Sequence, residues 1–385
     1  MKHRISKSLL SKIVLLTFCT VGSVAWNALT LWGQDMTQAS PASSQGVPVK
    51  PAPGVSYVGQ QVCVQCHANK VKTQQATAMA KALQSVGDCD ILRSRPRLTF
   101  RSGPYSYEIA REGNRSLYTV TDGTTKISEP ILWCFGRGGA GQTYLFQHNG
   151  AFYQSRISFY NDVQGLGVTL GAAHLTPNSL DEAAGDALNS STTRDCFACH
   201  STGAVRDRQL KLDQLIAGVS CESCHGPGEK HTAAMRAGNY QAKQIFNPKR
   251  LNTEEVSNFC GACHRTWEQI ASLHLYNINN VRFQPYRLAN SKCYDAEDRR
   301  ISCIACHDAH KDPEHEPLFY DSKCTACHNA DPKIARVDKQ IAATCKVGKQ
   351  RCVTCHMPKV EIPGSHFQFT DHQIRIARAG EPYPN

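Results

Sequence analysis

The chain has 385 residues, with 43 Lys and Arg against 32 Asp and Glu, a formal net charge of +11, and 19 cysteines. A mean hydropathy of −0.40 excludes a polytopic membrane protein, and an aromatic content of 8% with only 19% charged residues excludes a disordered chain. The length allows two or three domains of about 150 residues each. A cysteine content this high indicates a dedicated use for the thiols, which an ordinary cytosolic enzyme does not have.

The N-terminal segment has the features of an export signal. Residues 1–12 hold four basic residues and no acid, and an apolar run from Ile13 to Trp32 follows, a pattern typical of such signals. The run of about 20 residues is also long enough to stay as one membrane anchor. We assign residues 1–34 to a signal peptide or N-terminal anchor and residues 35–56 to a flexible linker. A periplasmic or otherwise extracytoplasmic location is expected, with membrane contact only if the N-terminal segment is uncleaved.

Seven copies of the motif Cys-x-x-Cys-His follow the linker. Two thiols three residues apart can form thioethers with the two vinyl groups of one haem, and the adjacent imidazole can then bind the iron. Structural zinc would not need a His after each Cys pair, and a thioredoxin-like redox pair would occur once. The sequence therefore predicts seven covalently attached haem c groups. The attachment residues are Cys63, Cys66, Cys196, Cys199, Cys221, Cys224, Cys260, Cys263, Cys303, Cys306, Cys324, Cys327, Cys352 and Cys355, and the proximal iron ligands are His67, His200, His225, His264, His307, His328 and His356.

Six of these motifs are crowded between Cys196 and His356, which leaves about 27 residues per haem, too few to build several protein cores. The porphyrins are therefore expected to form the core. The two propionates of each haem would balance the positive charge of the chain, since Arg and Lys pair well with carboxylates. For that reason no nucleic-acid partner is expected.

Each predicted iron needs a second axial ligand. Methionine is a poor candidate because few lie beyond the signal segment, and Met357 directly follows a motif histidine. Eight histidines lie outside the motifs and the signal, so bis-His ligation is the economical hypothesis, although any one of them could be a packing residue. The first choices are His174, His231, His274, His310, His366 and His372, and His315 comes next.

Spacing limits which iron some of these histidines can reach. His310 lies three residues after His307, and three residues span at most about 10 Å. His310 cannot pass round the porphyrin edge to the far face of its own haem, so it must serve a neighbouring haem or none. We expect the same of His231, six residues after His225. Such cross-ligation would hold the haems close together.

Local sequence distinguishes the best and poorest candidates. His372 follows Asp371, which could be its hydrogen-bond partner. His148 precedes Asn149-Gly150, a two-residue hairpin turn signal, and is expected to be exposed.

Outside the motifs, residues 97–165 show alternating apolar residues and turn signals, which predict an antiparallel sheet of about four to six strands. Elsewhere short helices are predicted, one running from His67 to about Leu83 and one capped by Asn252 with Glu255 three residues on. We therefore predict a mainly α and irregular, haem-packed fold with a small antiparallel β insertion. Its segments are 57–96, first haem-binding segment; 97–165, β insertion; 166–378, six-haem domain; and 379–385, tail.

Four cysteines outside the motifs and the signal lie in an oxidising compartment: Cys89, Cys134, Cys293 and Cys345. They could form two disulfides in three possible pairings. Cys89–Cys134 with Cys293–Cys345 is favoured because each bridge then stays within one region.

Several phrases around the motifs point to one group of proteins. They are Tyr57-Val58-Gly59, Cys224-His225-Gly226-Pro227-Gly228, Cys306-His307-Asp308-Ala309-His310, Cys355-His356-Met357-Pro358-Lys359 and Phe369-Thr370-Asp371-His372. Over about residues 57–378 the chain resembles multihaem cytochromes of the cytochrome c-552/c-554 group, related to cytochrome nitrite reductase and hydroxylamine oxidoreductase. The resemblance implies close haem packing and electron transfer. The chain differs from nitrite reductase because it has no Cys-x-x-Cys-Lys, and from hydroxylamine oxidoreductase because it has seven motifs instead of eight.

Two function classes stay open. The first is an exported heptahaem cytochrome that transfers electrons along closely packed, mostly bis-His haems between a quinol-side donor and a terminal reductase. The alternative is a haem enzyme acting on a small nitrogen or sulfur compound, such as nitrite or hydroxylamine, at one open-site haem. A vacant iron would favour the enzyme, whereas eight spare histidines for seven irons favour the carrier.

Overall fold

The structure is a computed structural model that describes residues 56–172, 175–328 and 345–384. The predicted signal or anchor, nearly all of the predicted linker, and His174 lie outside this part of the chain. All described residues belong to one unit, residues 41–385. Within the described ranges, no helix combines the length and the apolar character needed to cross a membrane.

The largest element is a nine-stranded antiparallel sheet. Strands β2 to β8 pair in chain order, β1 pairs with β5, and β9 pairs with β7. The two ends of this path, β2 and β8, also contact each other, so the sheet curls back on itself. The strands are β1 Leu83–Ser85, β2 Arg97–Ser102, β3 Tyr105–Glu112, β4 Arg115–Thr121, β5 Lys126–Phe135, β6 Gln142–His148, β7 Ala151–Tyr160, β8 Gly165–Val168 and β9 Gly185–Leu188.

Alternating apolar residues form the inner face of the sheet. In β3, Tyr105, Tyr107 and Ile109 are buried while the residues between them are more exposed, as the period of two in a strand requires. The predicted Asn149-Gly150 turn joins β6 to β7, and both residues adopt positive φ, which suits a tight two-residue hairpin.

The prediction of a mainly α fold with a small β insertion is wrong. The sheet has nine strands and runs from Leu83 to Leu188, beyond the predicted insertion on both sides. The short strands β1 and β9 have three and four residues, too few for an alternating pattern to stand out. In β7 every residue from Ser155 to Tyr160 is buried, so this strand does not alternate between a polar and an apolar face.

The helices are short, and each motif begins in one of them. They are α1 Gln60–Gln75, α2 Asp90–Ser94, α3 Leu180–Ala184, α4 Ser190–His200, α5 Cys221–His225, α6 Glu229–Arg236, α7 Thr253–His264, α8 Trp267–Ser272, α9 Gln284–Ala289, α10 Cys303–Cys306, α11 Asp321–Thr325 and α12 Cys352–His356. Three small strand pairs complete the fold: β10 Ser201–Thr202 with β13 Ile216–Ala217, β11 Val205–Arg206 with β12 Gln209–Leu210, and β14 Lys359–Glu361 with β15 Gln368–Thr370.

Two predicted helices can be compared with the structure. The Asn252 cap is confirmed: its side chain accepts from the Glu255 N–H, the Glu255 side chain accepts from the Asn252 N–H, and α7 runs into the fourth motif. Helix α1 passes through the first motif but ends at Gln75. The predicted end at Leu83 is wrong because that residue is in β1.

Candidate functional site

One large cavity brings together six of the seven motifs. Its volume is about 3920 Å³, several times the roughly 300–1,000 Å³ of an ordinary ligand pocket. Both cysteines and the histidine of every motif from Cys196 to His356 line this cavity. The glycine-rich turn between β5 and β6 also borders it, at Gly136 and Arg137. A cavity this large, lined by repeated thiols and imidazoles, can hold several large cofactors side by side.

Three motif histidines are oriented by backbone carbonyls. The Nδ1–H of His200 donates to the Ala82 carbonyl at 3.0 Å, that of His225 to Phe246 at 2.9 Å, and that of His356 to Arg375 at 2.8 Å. Such a bond fixes the tautomer and leaves Nε2 free for a metal. Burial also lowers the pKa of His200 and His225, which favours the neutral ring that a metal binds.

Three motif histidines face a second imidazole from outside the motifs. Metal–nitrogen bonds of about 2 Å on both sides of one ion would leave the two ring centroids roughly 6 Å apart. The three observed separations fit this spacing. The pairs are His67 with His231 at 6.4 Å and an interplanar angle of 19°, His225 with His310 at 6.1 Å and 16°, and His307 with His372 at 6.2 Å and 44°.

The second member of each pair is also held through Nδ1. His231 donates to the Lys243 carbonyl at 2.6 Å and His372 to the Thr370 carbonyl at 2.9 Å. His310 bonds the Asp308 carboxylate at 2.9 Å. The suggested Asp371 partner of His372 is therefore replaced by the Thr370 carbonyl. In all three rings Nε2 is the nitrogen left for a metal.

The other predicted second ligands occupy different surroundings. His315 is exposed and lines the cavity, whereas His274 is exposed beside Tyr276. His366 packs its edge on Tyr160 of the large sheet, with ring centroids 5.0 Å apart. His174 lies outside the described residues.

His148, the poorest candidate, is not exposed as expected. Its side chain is 16% exposed and lies between two carboxylates, with Nδ1 at 2.8 Å from Glu129 and Nε2 at 3.3 Å from Asp181. Both ring nitrogens of His148 therefore lie against carboxylates, those of Glu129 and Asp181.

Different motifs contact each other directly through their thiols. The thiols of Cys63 in the first motif and Cys221 in the third lie close enough for Cys63 to lower the pKa of the Cys221 thiol. The fourth motif meets two others, through Cys263 with Cys199 and through Cys260 with Cys303. A fourth pair joins the sixth motif to the seventh: Cys324 with Cys352. Cofactors attached at these thiols would lie next to each other.

The charge around the cavity is strongly positive. Sixteen Lys and Arg but five Asp and Glu line it. Among the described residues, the buried Nε of Arg282 and of Arg375 have no hydrogen-bond partner, and a buried donor without a partner is unfavourable. Carboxylates such as haem propionates would satisfy these donors. The thiols, the imidazoles and the guanidinium groups together fit haem c.

One buried carboxylate that the sequence analysis missed ties two of the quoted phrases together. Glu222, inside the third motif, is 2% exposed. Its Oε1 accepts from the N–H groups of Val58 at 2.9 Å and Gly228 at 2.7 Å, and its Oε2 accepts from Gly59 at 2.8 Å. The phrases at 57–59 and 224–228 are therefore neighbours in space, and their shared resemblance was the one signal that could have pointed to this contact.

The four cysteines outside both the motifs and the predicted signal are free thiols in the structure. Cys89 and Cys134, which belongs to β5, are fully buried in the same apolar cluster, and the Cys89 thiol donates to Gln142 at 3.2 Å. Cys293 and Cys345 are exposed and line the cavity. The pairings stay predictions.

Comparison with known proteins finds similarity to cytochromes. A family model described as "Cytochrome c554 and c-prime" matches residues 172–226, which include the second and third motifs. The chain is 26% identical over 161 residues to "Multiheme cytochrome MtrA" of Shewanella baltica (strain OS185), covering 41% of this chain and 39% of that protein. It is 28% identical over 89 residues to "Cytochrome c-554" of Nitrosomonas europaea, covering 20% of this chain and 36% of that protein. Together these matches support a multihaem c-type cytochrome.

The chain therefore has relatives that imply covalently bound haem c, and its motif cysteines fit such attachment. It spans less than two fifths of the length of either curated relative, so these matches extend to only part of each protein. No solved structure matches the chain.

Proposed function

We propose that the cytochrome is an exported electron-transfer protein with seven covalent haem c groups, most of them held by two histidines. The observation that carries this proposal is the set of three histidine pairs with centroids 6.1 to 6.4 Å apart. In each pair a motif histidine meets a histidine that belongs to no motif. That arrangement is what six-coordinate, low-spin iron needs on its two faces.

The chain's own residues would hold the cofactors as follows. The two cysteines of each motif attach the haem, and the motif histidine binds the iron. His231, His310 and His372 supply the opposite ligand for the first, third and fifth motifs. For the second, fourth, sixth and seventh motifs the opposite ligands stay the predicted His174, His274, His315 and His366. When bound, haem supplies the reversible one-electron chemistry of iron.

The contacts between motifs support transfer along the chain of cofactors. The thiols of the fourth motif touch those of the second and the fifth, and the first and third motifs also meet. Bis-His ligation without methionine favours low reduction potentials, since Met/His ligation raises them. Partners with matching potentials are a quinol-side donor and a terminal reductase, in the periplasm or an equivalent compartment.

The haem count is tested by mass spectrometry of the intact, matured holoprotein. Seven haem additions to the processed chain are expected, and five or fewer would contradict the proposal. Electron paramagnetic resonance of the oxidised protein then reports the ligation, with mostly low-spin signals expected. A redox titration dominated by strongly positive midpoints would argue against bis-His ligands.

One observation favours a second candidate, a haem enzyme acting on a small nitrogen or sulfur compound. His148 is held by two carboxylates, His274 is exposed beside Tyr276, and His366 packs on the sheet. If these three bind no iron, five candidates are left for seven irons, so an open site is available. A stoichiometric high-spin ferric signal that shifts on adding nitrite or cyanide, with turnover of nitrite or hydroxylamine, would establish the enzyme.

A further inference from the structure

A completely buried ion pair lies beside the His307–His372 pair. Arg287 of α9 and Asp371 both have side chains that are 0% exposed. The guanidinium donates from Nε to Oδ1 at 2.8 Å and from Nη2 to Oδ2 at 2.9 Å, a bidentate arrangement. Its Nη1 donates to the Pro384 carbonyl at 2.8 Å, and the Tyr383 ring lies 4.6 Å from the guanidinium carbon. Arg287 is thus fixed on several sides.

Such a pair is not explained by stability alone. Removing two charges from water carries a large desolvation penalty, and buried pairs are often no better than well-packed apolar residues. This ion pair is distinguished by its position, because it fixes the residues next to His372. Arg287 binds Asp371 and also donates from Nη2 to the Gln373 side chain at 2.7 Å. These two residues are the immediate neighbours of His372 on either side.

Residues just after α9 form hydrogen bonds with residues 372–374, the loop that contains His372. The Ser291 hydroxyl donates to the His372 carbonyl at 3.1 Å and accepts from the Ile374 N–H at 2.8 Å. The Gln373 side chain donates to the Asn290 carbonyl at 3.3 Å. A loop residue without such contacts would lose backbone entropy on ordering. These bonds fix the backbone on both sides of His372 by contacts within the protein.

We propose that Arg287 is a positioning residue that sets His372 opposite His307. It does so by hydrogen bonding at the same time to Asp371 and Gln373, the two residues that flank His372. The proposal rests on the proposed function, because it needs His372 to be an iron ligand at the fifth motif. Groups that orient a metal-binding histidine from outside the coordination sphere commonly change metal binding or activity by about 10–100-fold. Loss of Arg287 therefore frees His372 and leaves one iron five-coordinate.

The test compares purified holoproteins by haem content, high-spin ferric signal, and carbon monoxide bound per chain after reduction. His372→Ala, which removes the ligand itself, is expected to add one high-spin, carbon monoxide-binding haem relative to the wild type. Arg287→Met is expected to add most of one such haem, and Arg287→Lys less, because lysine restores the charge without the bidentate geometry. The matched control is Arg156→Met, which removes another buried arginine, in the sheet, and is expected to add none.

The outcomes separate the inference from the function on which it rests. If His372→Ala adds no carbon monoxide-binding haem, ligation by His372 is wrong. If His372→Ala adds one and Arg287→Met with full haem content adds none, the positioning role is wrong while the ligation stands. Should Arg287→Met fail to mature, Gln373→Leu removes one of the two contacts and is expected to give a partial gain, and no gain would overturn the role of Arg287.

Discussion

Replacing Glu222 by glutamine is expected to release the segment that precedes the first motif. The buried carboxylate accepts three backbone N–H groups, from Val58, Gly59 and Gly228. The glutamine amide keeps one acceptor oxygen and has an NH₂ group in place of the other. The backbone N–H groups that pointed at the replaced oxygen lose their acceptor and face that NH₂ group. The remaining bonds also lose their charge assistance.

The expected size follows from the contacts. Hydrogen bonds to charged groups contribute about 1.5–3 kcal/mol each, and a buried donor left without a partner costs about 1–3 kcal/mol. We therefore expect Glu222→Gln to lower the local opening free energy at Val58 and Gly59 by about 3 kcal/mol. Since every 1.4 kcal/mol is tenfold, amide exchange there should become about 100-fold faster.

The assay is hydrogen–deuterium exchange, followed by mass spectrometry of peptides that contain residues 57–62. A local measurement is preferred because a protein with several bound cofactors does not unfold in two states. The matched control is Glu229→Gln. Glu229 is exposed and accepts from the Ser56 N–H at 2.8 Å, and its loss is expected to leave residues 57–62 unchanged. Exchange in Glu222→Gln within about threefold of wild type would refute the reasoning, because a threefold change is less than one hydrogen bond.

Three further outcomes are expected. The pKa of Asp90 is lowered by its lysine and arginine partners, so its stabilising effect should be present above about pH 4 and fade as the pH falls below that value. Amide exchange in peptides of α2 should be slightly faster in Asp90→Asn than in wild type at pH 6, and the difference should shrink at pH 3; a constant difference would contradict this. Gly218→Ala places a Cβ 1.8 Å from a backbone oxygen and should cost several times the roughly 1 kcal/mol expected of Gly123→Ala, which meets only the positive-φ penalty; amide exchange around each substituted glycine that is accelerated equally in the two variants would refute the clash. Peptide mapping without reductant should recover Cys89 linked to Cys134, and alkylation of both thiols in the unreduced, denatured protein would exclude that bridge.

Chemistry that depends on contiguous residues could be predicted from the sequence. Each Cys-x-x-Cys-His carries its own attachment geometry, because cysteines three apart lie on one face of a helix. The reach argument for His310 also needs only chain length, and the structure brings that ring to 6.1 Å from His225 of another motif. By contrast, Glu222 bonds residues more than 160 positions away, and no pattern within a short window records such a contact.

The fold class was harder to predict for a related reason. The motifs suggested helices, and they do begin in helices, but four of these seven helices are only four or five residues long. Some strands of the sheet are as short as β1, Leu83–Ser85. The strand conformation of β1 comes from pairing with β5 rather than from local preference. Long-range pairing therefore decides the largest element of the molecule.

The position of Phe197 has a consequence for how the protein is assembled. This residue stands between the two cysteines of the second motif and is 0% exposed in a cluster with Leu83, Leu145 and Ala204. All strands of the large sheet precede it in the chain, yet their second apolar cluster is incomplete until Phe197 arrives. Deleting the sheet would therefore strip the second motif of the apolar side chains against which its Phe197 packs.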